Sequence, residues 1–241
     1  MFQMEDEEQI IPNGIVLPPK YINGIKCGGV CDEHYRFKAG SLIHGTDRWK
    51  EQYNGIVSLS DSYYVPPKEI DYIEEEVIFG GWLIAHFGHF MMQSLTRMWF
   101  HVEHPDDLRR IVFVEDYHEK WMDEFLDLLD IPQDRIFIIQ RPTRFLKVII
   151  PEESIHYADM ISDRFQETIS YIMNNIEPNN KYDKLYLYKH SINTSSVCGE
   201  EYFVDYFKHK GFGVIASEDY SVKEKLAFIK GAKEIVTTVG T

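Results

Sequence analysis

The sequence predicts an α/β protein of two domains with parallel β-sheets, residues 1–180 and residues 181–241. Three observations lead to this prediction. Short, nearly continuous apolar runs alternate with segments of helical periodicity, as in sheets buried on both faces. A polar, turn-rich segment at residues 177–183 has the composition of a domain boundary. After it the chain reads strand, helix, strand, helix, strand, which predicts parallel strands joined by right-handed crossovers.

The first predicted domain begins with a loop-rich region and continues with regular elements. Residues 1–75 are rich in proline and glycine, and apolar pieces at 15–17 and 55–59 predict edge or hairpin strands. A long helix is predicted over Trp82–Glu103, because Pro105 follows it. The remaining predicted elements are a strand at 110–114, a helix at 118–129, strands at 135–139 and 145–150, and a helix at 155–176 closed by Pro178.

The second predicted domain is a compact alternation of short elements. Its strands are predicted at 184–188, 212–215 and 234–239. One helix spans 200–210, with Gly211 at its C-terminal end. The pattern Ser221-Val-Lys-Glu224 is a capping box, which predicts that a second helix begins there and runs to Lys230.

Composition and charge exclude several classes of protein. The 241 residues are 44% hydrophobic and 27% charged, which excludes a disordered or collagen-like chain. With 25 Lys and Arg against 39 Asp and Glu, the net charge is −14. A non-specific nucleic-acid partner is therefore excluded, since backbone binding needs clustered cations. The net charge does not exclude a local basic pocket that binds a small anion.

The compartment predicted from the sequence is the cytoplasm. The acidic first ten residues are unlike a secretory signal, and no apolar run is long enough to span a membrane. Peripheral membrane association is left open. Three cysteines are too few for a disulfide scaffold, and Cys27 and Cys31 have no second ligand pair at a zinc spacing. No bound metal or other cofactor is predicted.

A stripe of polar side chains follows one side of the predicted helix at residues 82–103. His86, His89, Gln93 and Arg97 fall within an arc of about 80° at the helical period. A solvated face would carry Lys and Glu, whereas this mixture of imidazole, amide and guanidinium suits the wall of a cleft. The imidazoles could act as general bases or bind a metal, but the stripe holds no carboxylate to complete a metal site.

Several segments, taken in order, resemble glycosyltransferase family 61. Gly88-His89-Phe90, followed by Arg97-Met98-Trp99, resembles a recurring block of that family. The strand Lys184–Lys189, the Gly199-Glu200 element, Gly211-Phe212 and the final strand from Ala232 to Gly240-Thr241 resemble its later blocks. The resemblance spans residues 80–241. It implies a GT-B arrangement of two Rossmann-like domains, the second of them incomplete here, and inverting transfer from a nucleotide sugar to a glycan hydroxyl without a bound metal. The bacterial members of the family that this sequence resembles are associated with capsular polysaccharide synthesis.

The resemblance also suggests roles for individual residues. His89 is expected to be the catalytic base or to orient the acceptor, with His86 as second choice, and Gln93 is expected to line the acceptor cleft. Arg97 is expected to anchor an anionic group or to fix the helix, and a structural ion pair is its alternative. The donor-binding residues implied are Lys189 for phosphate, Glu200 for ribose, and Gly240 and Thr241 for a phosphate-binding turn. Glu200 has the alternative role of a first-turn carboxylate that stabilises its helix.

The sequence departs from the family pattern at a few positions. Gln93 stands where the family often has an acidic residue, Lys189 where it has Arg, and Lys225 where it has Gln. The family continues beyond the glycine turn at which this chain stops, so a chain truncated at its C-terminus is expected. Two other functions stay open on these grounds: a non-catalytic nucleotide- or glycan-binding module, and a metal-dependent hydrolase that uses His86 and His89.

Overall fold

The computed structural model describes residues 8–22, 25–41, 67–115, 117–156, 160–189 and 199–238, and its fold is α/β. The predicted strand at 55–59 and the predicted donor residues Gly240 and Thr241 lie outside the described residues. The chain forms two compact units. One comprises residues 1–122 and 131–168, and the other comprises residues 123–130 and 169–241. The division into functional domains at residue 180 stays a prediction.

Most predicted elements are present, with small shifts at their ends. The strands are Glu8–Pro12 (β1), Ile15–Ile22 (β2), Ile25–Cys31 (β3), Asp71–Leu83 (β4), Arg110–Glu115 (β5), Ile136–Ile139 (β6), Thr143–Pro151 (β7), Ile155–His156 (β8), Met160–Ile161 (β9), Lys184–Tyr188 (β10), Gly213–Ala216 (β11) and Glu234–Thr237 (β12). The helices are Phe87–Gln93 (α1), Trp99–Glu103 (α2), Lys120–Leu128 (α3), Asp163–Asn174 (α4), Glu200–His209 (α5) and Val222–Gly231 (α6).

The first unit contains a seven-stranded mixed sheet. Its path is β3-β2-β7-β4-β5-β6, and β1 pairs with β7 off this path. Neighbours within β7-β4-β5-β6 run parallel, whereas β1, β2 and β3 pair antiparallel. The parallel strands were recognisable in the sequence because they are buried and therefore nearly continuous in apolar residues. Their side chains form the main core, which includes Phe79, Val112, Val114, Phe145 and Val148.

The long helix predicted over Trp82–Glu103 is wrong in the structure. Trp82 and Leu83 end β4 and pair with β5, and the helical part is broken into α1 and α2 by a 3₁₀ turn at Leu95–Arg97. At the break, the Ser94 hydroxyl donates a 2.8 Å hydrogen bond to the carbonyl of Trp82. The turn is thereby tied to the strand, so the chain packs against the sheet instead of continuing as one straight helix.

The helix predicted over 155–176 is also shorter than expected. Residues of its first part form the two-stranded hairpin of β8 and β9. The helix α4 begins at Asp163, whose carboxylate lies in the first turn, where the helix dipole favours negative charge. The amphipathic pattern therefore predicts that a helix is present here, but it does not predict the residue at which the helix begins.

The second unit contains a three-stranded parallel sheet of order β11-β10-β12. This confirms the predicted alternation of strands and helices after residue 183. Its core includes Leu185, Leu187, Ile215 and Phe228. Helix α5 has acidic residues in its first turn and basic residues in its last turn, as the helix dipole favours. It is followed by Gly211 at a φ of +79°, a conformation that glycine adopts without strain.

The predicted capping box at the start of α6 is confirmed. The Ser221 hydroxyl accepts a hydrogen bond from the backbone N–H of Glu224, and the Glu224 carboxylate accepts one from the N–H of Ser221. A carboxylate oxygen of Glu124 accepts a further bond of 2.6 Å from the N–H of Val222. Backbone N–H groups at a helix N-terminus have no partner within the helix. Here the N–H groups of Ser221, Val222 and Glu224 each have a side-chain acceptor.

Replacing Ser221 by alanine is expected to lower the free energy of unfolding by about 1 kcal/mol, because the N–H of Glu224 loses its acceptor. Urea denaturation followed by circular dichroism measures the change. Lys223→Ala, an exposed change on the same helix, is the matched control and should stay within about 0.5 kcal/mol of the wild type. Equal stability of the Ser221→Ala variant and the wild type would contradict the capping role.

Candidate functional site

The predicted histidines follow the carboxyl end of β4. The last residue of this strand, Leu83, pairs with Glu115 at the end of the parallel strand β5. The carboxyl ends of parallel strands are the usual place for ligands in α/β proteins. The close packing here depends on Gly81, which has a φ of +100°, and a Cβ there would lie 2.2 Å from the Gln93 carbonyl oxygen. A glycine at this point therefore lets the chain after α1 approach the strand.

His86 and His89 form a pair at the start of α1. His86 is the N-cap residue, with an extended backbone at φ −145° and ψ 116°, and its side chain makes no capping hydrogen bond. The centroids of the two imidazole rings lie 4.8 Å apart with the planes tilted by 57°. His86 is exposed and His89 is half-buried. Both imidazoles are therefore close to one another at an accessible edge of the sheet, where they can exchange a proton with a bound hydroxyl.

The rest of the predicted polar stripe does not share this accessibility. Gln93 is 4% exposed and Arg97 is 1% exposed, so the wall expected from His86 to Arg97 is interrupted after His89. The physical reason is the break at Ser94, which turns the chain into the core. The structure therefore brings the two histidines together and separates them from the amide and guanidinium.

Arg97 is held by protein groups on several sides. Its Nε donates to the Gln93 carbonyl at 3.2 Å, and Nη1 donates a short bond to the carbonyl of Pro151. Nη2 donates to the Gly40 carbonyl at 2.5 Å and to Glu153 Oε1 at 2.8 Å. Burial lowers the pKa of Arg97, while the Glu153 carboxylate opposes this shift, and a guanidinium stays charged in either case. These contacts match the alternative of a structural ion pair that fixes the chain after α1.

The predicted donor residues that the structure describes lie in the second unit. Lys189 directly follows β10 and is half-buried, and no side-chain hydrogen bond or ion pair joins it to another described residue. Glu200 begins α5, and its Oε1 accepts a 2.6 Å hydrogen bond from the hydroxyl of Tyr186. Burial raises the pKa of Tyr186 and the Glu200 carboxylate raises it further, so this phenol remains a donor at neutral pH. Glu200 is therefore held in position by this hydrogen bond.

An aromatic groove beside Glu200 was not predicted. Its volume is about 300 Å³, and it is lined by Tyr186, Tyr202, Phe203, Tyr206, Phe207, Val236, Thr237 and Thr238. Tyr202 is 71% exposed and Tyr206 is 45% exposed, which is unusual for apolar rings on a helix. The signal in the sequence was the repeat of Tyr-Phe at a four-residue spacing on one helix, which has the pattern of a buried face.

The described part of the chain has neither a metal-binding cluster nor a membrane-spanning helix. No group of three or more His, Cys, Asp or Glu side chains among its residues is arranged to hold a metal ion. No helix of this part of the chain is both long enough and apolar enough to cross a membrane. The predicted lack of a metal or other cofactor stays a prediction.

A comparison with protein families identifies the chain. The profile described as Glycosyltransferase 61 matches residues 87–241, which is more than half of the sequence. The chain belongs to this family. A search of curated proteins found no match. The match begins one residue after His86 and includes His89, Lys189 and Glu200.

Membership of the glycosyltransferase 61 family confirms the resemblance found in the sequence. It implies glycosyltransferase activity, with a sugar donor and an acceptor. The truncation expected at Thr241 stays a prediction, as do the roles of the individual site residues. What the geometry adds is a distinction among those residues: His86 and His89 are accessible, whereas Gln93 and Arg97 are built into the core.

Proposed function

We propose that this glycosyltransferase transfers a sugar from a nucleotide-sugar donor to a glycan hydroxyl with inversion. We place it in the cytoplasm, in a GT-B arrangement, and in the synthesis of a surface or capsular polysaccharide. The observation that carries the proposal is the accessible histidine pair at the carboxyl end of β4 in a chain of this family. Inverting transfer in one step needs one base, and an imidazole supplies it near neutral pH.

His89 is the proposed base, and His86 is the second choice. An imidazole nitrogen takes the proton of the acceptor hydroxyl while that oxygen forms a bond to the anomeric carbon of the donor. The bond from the anomeric carbon to the phosphate oxygen breaks at the same time, and the nucleoside diphosphate leaves with its electron pair. Attack opposite the leaving group inverts the anomeric configuration. The neighbouring ring, 4.8 Å away, lies close enough to share in orienting the acceptor.

Groups in the second unit are suited to the donor. The ammonium of Lys189 can neutralise phosphate as a point charge, which an Arg would instead do through a bidentate fork. The carboxylate of Glu200 can accept a hydrogen bond from a ribose hydroxyl. The aromatic groove beside it offers ring faces on which a nucleobase can stack, a contact worth about 1–3 kcal/mol per base. These features support a nucleotide sugar as the donor.

The donor site is tested by titrating the protein with nucleoside diphosphates in a calorimeter. Lys189→Ala is expected to weaken binding by roughly ten- to a hundredfold, since a hydrogen bond to a charged group contributes about 1.5–3 kcal/mol. Lys208→Ala, an exposed lysine in the last turn of α5, is the matched control and should bind as the wild type does. Equal loss in both variants would show a general charge effect in place of a phosphate contact.

The reaction itself is tested by incubating the protein with nucleotide sugars and neutral glycan acceptors. The expected product has the anomeric configuration opposite to that of the donor, which nuclear magnetic resonance identifies. A product of retained configuration would contradict the proposed mechanism. Nucleotide binding without any transfer would favour the non-catalytic module, and a stoichiometric transition metal in the purified protein would favour the hydrolase.

A further inference from the structure

Two aromatic side chains, the exposed Phe87 and the half-buried Trp121, lie near the histidines. We infer that Phe87 and Trp121 form a platform for an uncharged pyranose ring of the acceptor glycan. The inference rests on the proposed function, and it goes beyond it by naming the residues and the chemistry that select the acceptor.

The position of the platform is set by the same strand ends as the histidines. Phe87 is the first residue of α1 and follows His86 directly, and its side chain is 52% exposed. Its ring centroid lies 5.7 Å from that of Trp121 in the first turn of α3, and the two ring planes are tilted by 48°, so the rings form two inclined faces. A ring bound on this pair would therefore lie beside the imidazole of His86, where its hydroxyls can reach a proton acceptor.

Two contacts hold Trp121 in position. The buried ring of Phe90 meets Trp121 edge to face, with centroids 5.2 Å apart and planes at 85°. The indole Nε1 donates a 2.5 Å hydrogen bond to Glu119 Oε2. The half-buried indole is thereby held in one orientation, so that contact with a ligand costs it little rotamer freedom.

The chemistry of an aromatic face points to the C–H groups of a sugar. The face of an aromatic ring has a negative electrostatic potential, so it attracts weakly positive C–H groups. A pyranose presents such groups on its less polar side. Hydroxyls at the ring edge then need acceptors. Glu119 lies beside Trp121, because its Oε2 accepts the hydrogen bond of the indole. The platform thus combines an apolar face with a neighbouring carboxylate.

The charge of this region selects against an acidic sugar. Residues 115–121 contain three carboxylates and one lysine, and the whole chain carries a net charge of −14. A uronic acid or a phosphorylated sugar at the platform would meet like charge, which is destabilising at short range. The occupant to which the platform is suited is therefore an uncharged pyranose.

The test compares binding and kinetics of the whole chain. The probes are maltotriose and cellotriose as neutral saccharides, a uronic acid trimer as the anionic one, and tetramethylammonium as a competing cation. Saturation-transfer nuclear magnetic resonance measures binding without donor, and initial rates give the KM for the acceptor. Phe87→Ala is expected to weaken neutral saccharide binding and to raise the acceptor KM by about tenfold, and Phe87→Tyr should restore both.

Leu108→Ala is the matched control, because Leu108 is a 79% exposed apolar side chain in the same unit and takes part in none of the proposed contacts. An acceptor KM within twofold of the wild type for Phe87→Ala would overturn the inference, as would an equal effect of Leu108→Ala. Preferential binding of the uronic acid trimer or displacement of the saccharide by tetramethylammonium would overturn the assigned chemistry. Failure of the proposed function is a separate outcome: no transfer with any donor, while saccharide binding still depends on Phe87.

Discussion

Replacing His89 by alanine is expected to lower kcat for sugar transfer by about 10²- to 10⁴-fold, the range for loss of a general base. The physical reason is that the acceptor hydroxyl would attack without a group to take its proton. His89 is half-buried beside His86, so the alanine leaves space that solvent can enter, but water is a weaker base than imidazole. The measurement is the initial transfer rate with saturating donor and acceptor.

Two further variants make this experiment decisive. His34→Ala removes a histidine whose side chain is 67% exposed in the same unit, and it should leave kcat unchanged. His86→Ala should lower kcat less than His89→Ala does. If the order is reversed, His86 is the base, and if both variants turn over as the wild type does, neither imidazole carries the chemistry.

The strand framework was largely predictable from the sequence, because its signal is local. Arg110–Glu115 and Lys184–Tyr188 are buried in parallel sheets, so their own residues are apolar almost throughout. The capping box at Ser221 is also local, since both of its partners lie within one helical turn. Elements of this kind depend on neighbours in the chain, and the sequence contains those neighbours in order.

The break between α1 and α2 was not predictable in this way. Leu95 and Met98 keep the apolar spacing of a continuous helix, and both are buried. What ends the helix is contact with β4, through Ser94 and through the space left by Gly81. Periodicity reports which side of a segment is buried, but a 3₁₀ turn buries a similar side, so the pattern does not show the change of direction.

The candidate site also contains residues that could be predicted from local spacing and residues that could not. The histidine pair was found because both residues lie within one turn of a short helix, where spacing does determine proximity. The roles of Gln93 and Arg97 depended on the helix continuing, and there the prediction of one accessible stripe is wrong. The aromatic groove beside Glu200 was missed because aromatic residues at helical spacing are usually core, and their exposure is a property of the fold.

Replacing Arg97 by methionine is expected to lower the free energy of unfolding by about 3–5 kcal/mol, the range for a buried ion pair that loses one partner. The guanidinium is 1% exposed, and its removal leaves the carbonyls of Gly40 and Pro151 without this donor. It also leaves the Glu153 carboxylate, whose side chain is 16% exposed, without its cation. Urea denaturation followed by tryptophan fluorescence gives the change, provided that the dependence on urea keeps its slope.

Arg110→Met is the matched control for this prediction, because its guanidinium pairs with Glu75 at 2.7 Å, near the surface where both side chains are partly exposed. Such a pair contributes about 1 kcal/mol or less, so the two methionine variants should differ by several-fold in their effect on stability. Adding Glu153→Gln to Arg97→Met should recover part of the loss, since the unpaired negative charge is then gone. Equal effects of the two arginine variants would instead return Arg97 to its other predicted role, an anion-binding group whose charge the fold does not need.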